Sequence, residues 1–561
     1  MAVDPKDFFY LHALRNAVEH NDVPRAGPVL GALMGAHPEC RPQAKELSGI
    51  LQAVLREIEG MTPDERRGRL EELAPELLEK KEKKKREAGL RPLAHVGPEG
   101  VVMRFAPNPS GPLHIGHARA SFLNDYYVRE YGGKYILRIE DTDPKRVREE
   151  NYRMLLEDIE WLGLEISDIV YQSDRLDIYY EYCEKLIGIG GAYVCTCDAE
   201  VFREKKNAKV ACPCRDHEPE ENLRLWRAMR AGDYAEGTIT VRVKTDITHP
   251  DPAMRDFSIF RIVDAPPHPR CDARVYPLMN FSVAVDDHLL GMTHVIRGKD
   301  HIANTRRQQF IYEYFGWPMP EYFHYGRMSI EGVVLSTSAM KEGISQGAYT
   351  GWDDVHLGTL KAIARRGFSA EAVRNAMIDI GIGQTDISFS WENLFAANKA
   401  LVDPIAPRYF FVGDPVSCTI GGAPGMVATP CLNPNDPAAG CRHLPFTGTL
   451  YAPGEEITTA RMVRFKDLFN VRIDYDGATP VFTYAGSSLE EARREHAPII
   501  QWLPKDAAVQ CTLHTPDGPV SGLCEPGVCG EQGKVVQFER IGFARVDEVT
   551  EHHVSAYFAH R

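Results

Sequence analysis

Residues 101–143, VVMRFAPNPSGPLHIGHARASFLNDYYVREYGGKYILRIEDTD, decide the fold of this 561-residue chain. An apolar run at 101–105 ends in a cluster of proline, glycine, asparagine and serine, which indicates a buried strand followed by a loop. From Leu113 the apolar residues recur at helical spacing until Gly132, where a glycine pair predicts the helix end. A second strand follows and ends in acids. The stretch therefore predicts a βαβ unit with parallel strands and a right-handed crossover.

The loop of this unit is a candidate phosphate site. A βαβ unit brings the end of its first strand beside the helix N-terminus, where free N–H groups and the helix dipole favour phosphate. His114, Gly116 and His117 lie there. Both imidazoles can donate hydrogen bonds to a polyphosphate, and Gly116 leaves space for a flat base. The alternative is two surface histidines at a helix start, but the surrounding strand, turn and acidic strand end favour the phosphate site.

The same residues match a known signature. RFAPNPSGPLHIGH resembles the HIGH signature of class I aminoacyl-tRNA synthetases, and the continuation GGKYILRIEDTDPKR is similar to the glutamyl/glutaminyl subgroup. The resemblance implies a Rossmann-like α/β catalytic domain, with ATP as a substrate and Mg²⁺ carried in on it. The ATP-binding residues that it implies are Pro107, Asn108, Pro109, Ser110, Gly111, His114, Gly116 and His117.

Composition sets outer limits on the function. A hydrophobic content of 43 % and a charged content of 26 % are typical of a soluble globular protein. The sequence has no run of eighteen apolar residues and no secretory leader, so we expect a cytoplasmic protein without a membrane span. The net charge of −14 argues against general affinity for nucleic acid. A local basic face would be enough to bind RNA, so only sequence motifs can decide whether this chain binds it.

Patterns and resemblance together predict a multidomain α/β protein, which we expect to be a monomer. The predicted parts are a helical N-terminal appendage (1–98), the first half of the catalytic domain (99–193), an inserted domain that binds the tRNA acceptor end (194–274), the second catalytic half (275–345), a helical connector (346–396) and a β-barrel anticodon-binding region (397–561).

The N-terminal appendage combines helical periodicity with one basic run. Thr62 followed by Pro63 predicts an N-cap with proline at the first helical position. The run at 80–86, KKEKKKR, is either a solvated helix end or a contact with an RNA backbone.

Four of the thirteen cysteines form two C-x-C pairs, Cys195 with Cys197 and Cys212 with Cys214. Four thiolates suit tetrahedral zinc, and His217 could replace one of them. The other interpretation is four reduced cysteines in a small β-rich insertion. Because a closed four-ligand site leaves no open position, we expect a structural role for the metal.

The second catalytic half is predicted to resume the sheet at 275–285, followed by a short buried strand at 294–296 that ends at Arg297. The segment VVLSTS at 333–338 resembles the second class I signature, although Val334 and Thr337 stand where lysines are common. Lys341 is the nearest cation that could take over a phosphate contact. By this resemblance the catalytic residues are His114, Gly116, His117, Ser336, Ser338 and Lys341.

Beyond about residue 400 the chain is rich in proline, glycine and threonine, with many short alternating runs that favour β-barrels. In the family, the archaeal and glutaminyl branch has a β-barrel anticodon-binding region here, whereas the bacterial glutamyl branch is helical.

The resemblance also implies the amino-acid substrate. Glu140 stands where an acid holds the α-amino group, and Arg104 and Arg297 stand where arginines meet the carboxylates. Glutaminyl relatives normally have an uncharged residue in place of Arg297, so we expect L-glutamate. Met279 occupies a position often held by a substrate-contacting tyrosine, and Tyr276 is the candidate replacement.

The reaction implied is ATP-dependent activation of L-glutamate and its transfer to tRNA(Glu). Whether tRNA(Gln) is also charged is left open by the sequence. Two other classes share features with this chain: pantothenate-synthetase-like ligases with an HIGH-type site, and non-catalytic tRNA-binding paralogues with a weak second signature. The acceptor insertion and β-rich C-terminus argue against the first class, and intact His114, Gly116, His117 and Arg297 argue against the second.

Overall fold

The computed structural model describes residues 4–20, 23–37, 44–74, 89–477 and 479–561. The chain divides into two compact units, residues 1–88 and 89–561. The basic run at 80–86 lies outside the described residues. None of the helices in the described ranges has the length and apolar character needed to cross a bilayer.

The first unit is helical. Its helices are α1 (Pro5–His20), α2 (Ala26–Ala36), α3 (Ala44–Glu59) and α4 (Pro63–Leu73). Phe9 and Leu14 of α1 pack with Leu51 and Val54 of α3 in its core. The predicted start of α4 is confirmed, because Thr62 accepts a hydrogen bond from the N–H of Glu65 while the Glu65 carboxylate accepts one from the N–H of Thr62.

The second unit begins with the predicted βαβ arrangement. Its elements are β1 (Val101–Phe105), α5 (Ile115–Tyr131), β2 (Gly133–Ile139), α6 (Glu149–Leu162), β3 (Asp168–Tyr171) and α7 (Leu176–Gly188). Strands β1, β2 and β3 form a parallel sheet in that order, which confirms the prediction. Gly133 has a φ of 113°, and a Cβ there would lie 2.0 Å from the carbonyl oxygen of Val101. The pairing of β1 with β2 therefore requires glycine at this position.

An inserted antiparallel sheet follows. Its elements are β4 (Ala192–Cys195), α8 (Ala199–Asn207), α9 (Pro219–Ala231), β5 (Thr240–Val243), β6 (Phe257–Ile262) and β7 (Val275–Pro277), with strand order β4-β5-β6-β7. The prediction that the nucleotide-binding sheet resumes at 275–285 is wrong. Strand β7 pairs with β6, and the chain is helical from Met279. A short apolar run does not distinguish a strand from a buried helix, and here the helix is buried along most of its length.

The parallel strands return after this insertion. The elements are α10 (Met279–Leu289), β8 (His294–Gly298), α11 (Ile302–Phe315) and β9 (Glu321–Tyr325), and β8 pairs with β9 in parallel. The N–H of Thr293 donates to the carbonyl oxygen of Val102 at 3.0 Å, and the N–H of Val102 donates to Thr293 Oγ1 at 3.0 Å. These bonds join the start of β8 to β1.

The following segment mixes helices with one pair of short strands. Its elements are β10 (Met328–Ile330), α12 (Thr337–Ser345), α13 (Leu360–Arg366), α14 (Ala370–Ile380), β11 (Ile387–Phe389) and α15 (Trp391–Val402). Strands β10 and β11 pair in parallel, a feature that the prediction of a helical connector did not include. Helix α15 continues past residue 396, where the sequence had suggested the end of the connector.

The C-terminal region is built from strands, as the sequence predicted. The strands are β12 (Arg408–Tyr409), β13 (Phe411–Gly413), β14 (Pro415–Gly421), β15 (Met426–Ala428), β16 (Leu444–Phe446), β17 (Thr449–Pro453), β18 (Met462–Phe465), β19 (Asn470–Asp476), β20 (Thr479–Tyr484), β21 (Ile499–Ile500), β22 (Leu503–Pro504), β23 (Val509–Thr515), β24 (Gly518–Cys524), β25 (Val535–Phe538), β26 (Gly542–Val549) and β27 (His553–His560). Two short helices, α16 (Gly454–Thr459) and α17 (Leu489–Arg494), lie between them.

Most of these strands belong to two mixed seven-stranded sheets. One sheet has the order β12-β25-β26-β27-β23-β24-β13, and the other has the order β21-β18-β19-β20-β14-β17-β22. Each sheet encloses its own apolar core, with Trp502 and Phe469 in one and Phe538 and Val546 in the other. Strands β15 and β16 form a separate antiparallel pair.

Candidate active site

A buried group of charges connects the ends of strands β1 and β2 to helix α10. Arg104 of β1 donates from Nε and Nη2 to the two carboxylate oxygens of Asp287, at 3.2 and 3.4 Å. Arg138 of β2 donates from Nη1 to Oδ1 of the same carboxylate at 2.6 Å. Burial alone would raise the pKa of Asp287, but the two guanidinium groups hold that pKa below its ordinary value. Asp287 therefore holds both guanidinium groups in place through charge-assisted hydrogen bonds.

Arg138 extends this group to the predicted substrate acid. Its Nη2 donates to Glu140 Oε1 at 3.0 Å, and its side chain is fully buried. The neighbouring Asp286 accepts hydrogen bonds from Arg175, Gln172 and Tyr179, so its charge is also satisfied. The sequence interpretation missed the roles of Arg138 and Asp287. The sequence contained a signal for these roles, because each apolar run includes a charged residue, Arg138 in β2 and Asp287 in α10.

Arg297 of β8 differs from the other two arginines. Its Nη2 donates to Thr305 and, at 2.9 Å, to Gln308, and its guanidinium lies 4.7 Å from the ring centre of Tyr322. Within the described part of the chain it forms no ion pair, and its buried Nε has no hydrogen-bond partner. Burial and repulsion by Arg104 lower the pKa of Arg297 to about 10. A carboxylate from outside the protein would satisfy this buried cation.

The two histidines of the HIGH segment are held by the backbone at the start of α5. His114 Nδ1 accepts from the N–H of Gly116 at 3.1 Å, and His117 Nδ1 accepts from the N–H of His114 at 3.2 Å. The rings stack with their centroids 3.8 Å apart. Burial lowers the pKa of His114 to about 4, and burial together with the neighbouring His114 holds the pKa of His117 well below its ordinary value. Both rings are therefore neutral near pH 7, and each carries its proton on Nε2 as a hydrogen-bond donor.

One cavity brings six of the predicted residues together. It has a volume of about 320 Å³, and the predicted site residues that line it are Arg104, Pro107, Asn108, His117, Glu140 and Arg297. Met279, Asn124 and His301 also line it. Tyr276 does not. Its hydroxyl donates to the carbonyl oxygen of Ala273 at 2.9 Å, so the expected replacement for a substrate-contacting tyrosine is not placed at the cavity.

The loop at 107–111 runs from this cavity toward helix α12. Asn108 Nδ2 donates to the carbonyl oxygen of Glu140 at 2.7 Å, and the carbonyl of Pro109 accepts from Asn151 at 2.8 Å. A Cβ on Gly111 would lie 2.7 Å from Cγ2 of Thr337, so the two signature segments are neighbours there. Ser110 lies between these contacts, and its N–H donates to the carbonyl oxygen of Asn108.

The second signature segment is only partly a loop. Ser336 is the N-cap of α12 and accepts a hydrogen bond from the N–H of Ala339. Ser338 and Lys341 therefore lie on the first turns of a helix, and both are exposed. Neither side chain lines the cavity in this conformation.

Comparison with known proteins places this chain in a family. A model of the class I (E and Q) tRNA synthetase catalytic domain matches residues 100–404. Two models of anti-codon binding domains of the same synthetases match residues 406–483 and 499–547. The chain belongs to the class I (E and Q) tRNA synthetase family.

Two relatives resemble this synthetase over nearly its whole length in sequence, and a solved structure matches about half of it. A protein of Methanoculleus marisnigri named glutamate–tRNA ligase is 62 % identical over 558 residues, covering 100 % of both chains. A glutamate–tRNA ligase of Methanocaldococcus jannaschii is 49 % identical over 98 % of this chain and 99 % of its own. A crystal structure of a glutamate tRNA ligase from Elizabethkingia meningosepticum has a TM-score of 0.39 at 23 % identity, covering 54 % of this chain and 70 % of that one.

The four predicted cysteines of the synthetase form a compact cluster. The sulfur atoms of Cys195, Cys197, Cys212 and Cys214 all lie within 4.8 Å of one another. The Sγ atoms of Cys195 and Cys212 are 3.9 Å apart, and those of Cys197 and Cys214 are 3.7 Å apart. Zn–S bonds of about 2.3 Å in a tetrahedron place sulfur atoms roughly 3.8 Å apart, so these residues fit a tetrahedral metal. His217 is outside the cluster.

Asp158 of α6 supports the HIGH loop from behind. Its buried carboxylate accepts a hydrogen bond from the N–H of Leu113 at 2.7 Å, one residue before His114. From the other side, the N–H of Ile115 donates to the carbonyl oxygen of Gly358 at 3.0 Å and the carbonyl of Leu113 accepts from the N–H of Leu360 at 2.9 Å. Burial raises the pKa of Asp158 to about 7, although the bond from Leu113 opposes this shift.

We expect Asp158 to make the free energy of unfolding pH-dependent. Between about pH 4 and pH 7 this carboxyl is ionised in the unfolded chain but protonated in the folded one, so stability falls as the pH rises through that window. The fall should be on the order of a few kcal/mol. The Asp158→Asn variant keeps an acceptor for the N–H of Leu113 but carries no titrating carboxyl. Its free energy of unfolding should therefore not show this fall as the pH rises. Denaturant unfolding of both proteins at pH 5 and pH 8 measures the difference.

Glu157→Gln is the matched control, because its carboxylate is adjacent but exposed and has its pKa lowered by Lys361. The Glu157→Gln variant should show at least as large a fall in the free energy of unfolding between pH 5 and pH 8 as the wild type. If the free energy of unfolding fell equally between pH 5 and pH 8 in the wild type and in Asp158→Asn, the role of Asp158 would be contradicted.

Proposed function

We propose that this chain is a glutamate–tRNA ligase, which activates L-glutamate with ATP and transfers it to the 3′ end of tRNA(Glu), releasing AMP and pyrophosphate. The observation that carries the substrate assignment is Arg297, a buried cation at the cavity with no carboxylate partner among the described residues. The full-length similarity to proteins named glutamate–tRNA ligase supports the same activity.

The charges around the cavity complement glutamate. Arg104, Arg138 and Arg297 are opposed by two carboxylates, Asp287 and Glu140, which leaves one net positive charge. L-glutamate has one net negative charge at neutral pH, whereas glutamine has none. A buried site whose charge is not neutralised by its ligand is costly, so this balance favours glutamate. In our proposal Glu140 accepts the α-ammonium group, and Arg104 and Arg297 bind the carboxylates.

The reaction needs positioning and charge stabilisation rather than a protein nucleophile. An oxygen of the glutamate α-carboxylate attacks the α-phosphate of ATP, and pyrophosphate leaves. The terminal hydroxyl of the tRNA then attacks the glutamyl carbonyl carbon, and AMP leaves. His114 and His117 donate from Nε2 to ATP phosphates, beside the loop at 107–111 and Gly116. Ser336, Ser338 and Lys341, at the start of α12, would reach the phosphates when ATP is bound, and Mg²⁺ would enter with ATP.

The remaining parts have roles in holding tRNA. The insertion at 194–274 would bind the acceptor end, and the cysteine cluster would hold a structural Zn²⁺ that stiffens it. The two seven-stranded sheets would be the β-barrels that bind the anticodon. We propose a cytoplasmic monomer. The matches to anti-codon binding models over 406–483 and 499–547 disfavour a pantothenate-synthetase-like ligase.

The purified protein should charge tRNA(Glu) with glutamate, which aminoacylation of the purified tRNA measures.

The His117→Ala variant should lower glutamyl-adenylate formation by a hundredfold or more, because it loses an Nε2–H donor at the phosphates. His117→Asn, which keeps an acceptor for the N–H of His114, should lose comparable activity. ATP–pyrophosphate exchange with glutamate, with and without tRNA, is the measurement. His552→Ala is a control, because that side chain is 85 % exposed.

Near-normal exchange in both His117 variants would contradict the assigned role. Absence of any exchange in the wild type with glutamate and tRNA(Glu) would favour a non-catalytic tRNA-binding paralogue. Charging of purified tRNA(Gln) beside tRNA(Glu) decides whether the specificity extends to both.

Protein purified without chelators should contain about one equivalent of zinc. Cys197→Ser should lower this content strongly, because three thiolates hold zinc less well than four. Cys271→Ser is the matched control, since Cys271 is a half-buried thiol outside the cluster. Elemental analysis by mass spectrometry measures the metal. Less than about one-tenth of an equivalent in the wild type would contradict a zinc site and favour four reduced cysteines.

A further inference from the structure

We infer that Cys431 and Cys441 are a reversible redox site, whose disulfide locks the loop between them. The two residues face each other across an isolated antiparallel bridge. On one side of them the N–H of Arg442 donates to the carbonyl oxygen of Pro430 at 2.9 Å. On the other side the N–H of Leu432 donates to the carbonyl oxygen of Gly440 at 2.9 Å.

This pattern makes Cys431 and Cys441 a non-hydrogen-bonded pair, since the flanking residues make the bonds. Such pairs have Cα atoms about 4.5 Å apart and side chains on the same face. That separation lies within the roughly 4.4–6.8 Å range that disulfides require. The backbone therefore already holds the two cysteines at a distance that a disulfide can span.

Both strands of the bridge are fixed by buried contacts. The Asn433 side chain donates to the carbonyl oxygens of Pro404 and Ala406, at 3.0 and 3.1 Å. Arg442 is buried, and it pairs with Glu525 and, at 2.6 Å, with Glu539. The register of the bridge is consequently fixed on both sides.

Accessibility separates this pair from the other thiols. Of the cysteines in the described ranges, Cys431 and Cys441 are the exposed ones. Cys511 and Cys524, on the neighbouring strands β23 and β24, are buried, and their register places Cys511 opposite Gly522 instead. An oxidant in solution therefore reaches the 431–441 pair before the buried thiols.

The chemistry is thiol–disulfide exchange with a low-molecular-weight disulfide. One cysteine thiolate attacks a sulfur of that disulfide, forms a mixed disulfide and releases one small thiol. The second cysteine thiolate then attacks the protein sulfur and releases the second small thiol. The two cysteines are oxidised by two electrons and lose two protons, and the small disulfide is reduced to two thiols. Excess small thiol reverses the reaction.

Closing this bond constrains the segment 432–440. Besides Asn433, the carbonyl oxygen of Leu432 accepts a hydrogen bond at 2.7 Å from the N–H of Arg408, the first residue of β12. The loop thus contacts the chain at 404–408, between helix α15 and the C-terminal sheets. The disulfide would suppress local opening of the loop and of its contacts with this junction.

The test treats the reduced full-length protein with oxidised glutathione, followed by alkylation, trypsin digestion and mass spectrometry. The peptide 409–442 contains Cys418, Cys431 and Cys441. We expect it to lose two hydrogens, about 2 Da, and to take one alkyl group instead of three. Cys418→Ser should retain the mass loss, and Cys431→Ser should abolish it. Amide hydrogen exchange of 432–440 should slow at least severalfold in the oxidised wild type and recover with excess thiol.

Two kinds of result would overturn the inference, namely absence of the internal disulfide and a disulfide without the locking effect. The first is complete alkylation of Cys431 and Cys441 after treatment, or one glutathione on each without an internal disulfide. The second is a disulfide that forms while hydrogen exchange in 432–440 stays unchanged, which would contradict the locking role. Neither readout depends on aminoacylation, so both stand apart from the proposed ligase activity.

Discussion

The buried carboxylate of Asp287, bound by Arg104 and Arg138, is the interaction on which the site depends. Three chain segments far apart in sequence meet there, namely β1, β2 and α10. Removing one partner of such a buried group typically costs about 3–5 kcal/mol, because the remaining charges are left unpaired. The same contacts orient Glu140 through Arg138. In our proposal, folding and substrate recognition therefore share one set of charges.

The side of the cavity that we propose to bind phosphate is held mainly by backbone contacts. The HIGH loop lies between Asp158 of α6 and the segment 358–360 that opens α13. A Cβ on Gly358 would lie 2.7 Å from Val333 and 2.8 Å from Leu335, so this segment also contacts the second signature. Segment 358–360 thus contacts both signatures, although these are about 220 residues apart in sequence.

Sequence patterns predicted the βαβ unit and the β-rich C-terminus, because local periodicity determines them. Six of the residues that line the cavity were predicted from the resemblance to class I synthetases. Sequence patterns did not predict the partners of the arginines, since those depend on which strands become neighbours. The run at 275–285 was assigned to a strand because a buried helix and a buried strand are both apolar. Tyr276 was chosen by nearness in sequence to Met279, yet strand β7 holds it away from the cavity.

The most direct test of the central claim is the ratio of kcat/KM for glutamate over glutamine in ATP–pyrophosphate exchange, with tRNA(Glu) present. Arg297→Gln should lower kcat/KM for glutamate about a hundredfold, equivalent to about 2.7 kcal/mol, and change the value for glutamine little. The wild type should strongly prefer glutamate. Equal losses for both amino acids, or an unchanged preference for glutamate, would contradict selection by the charge of Arg297.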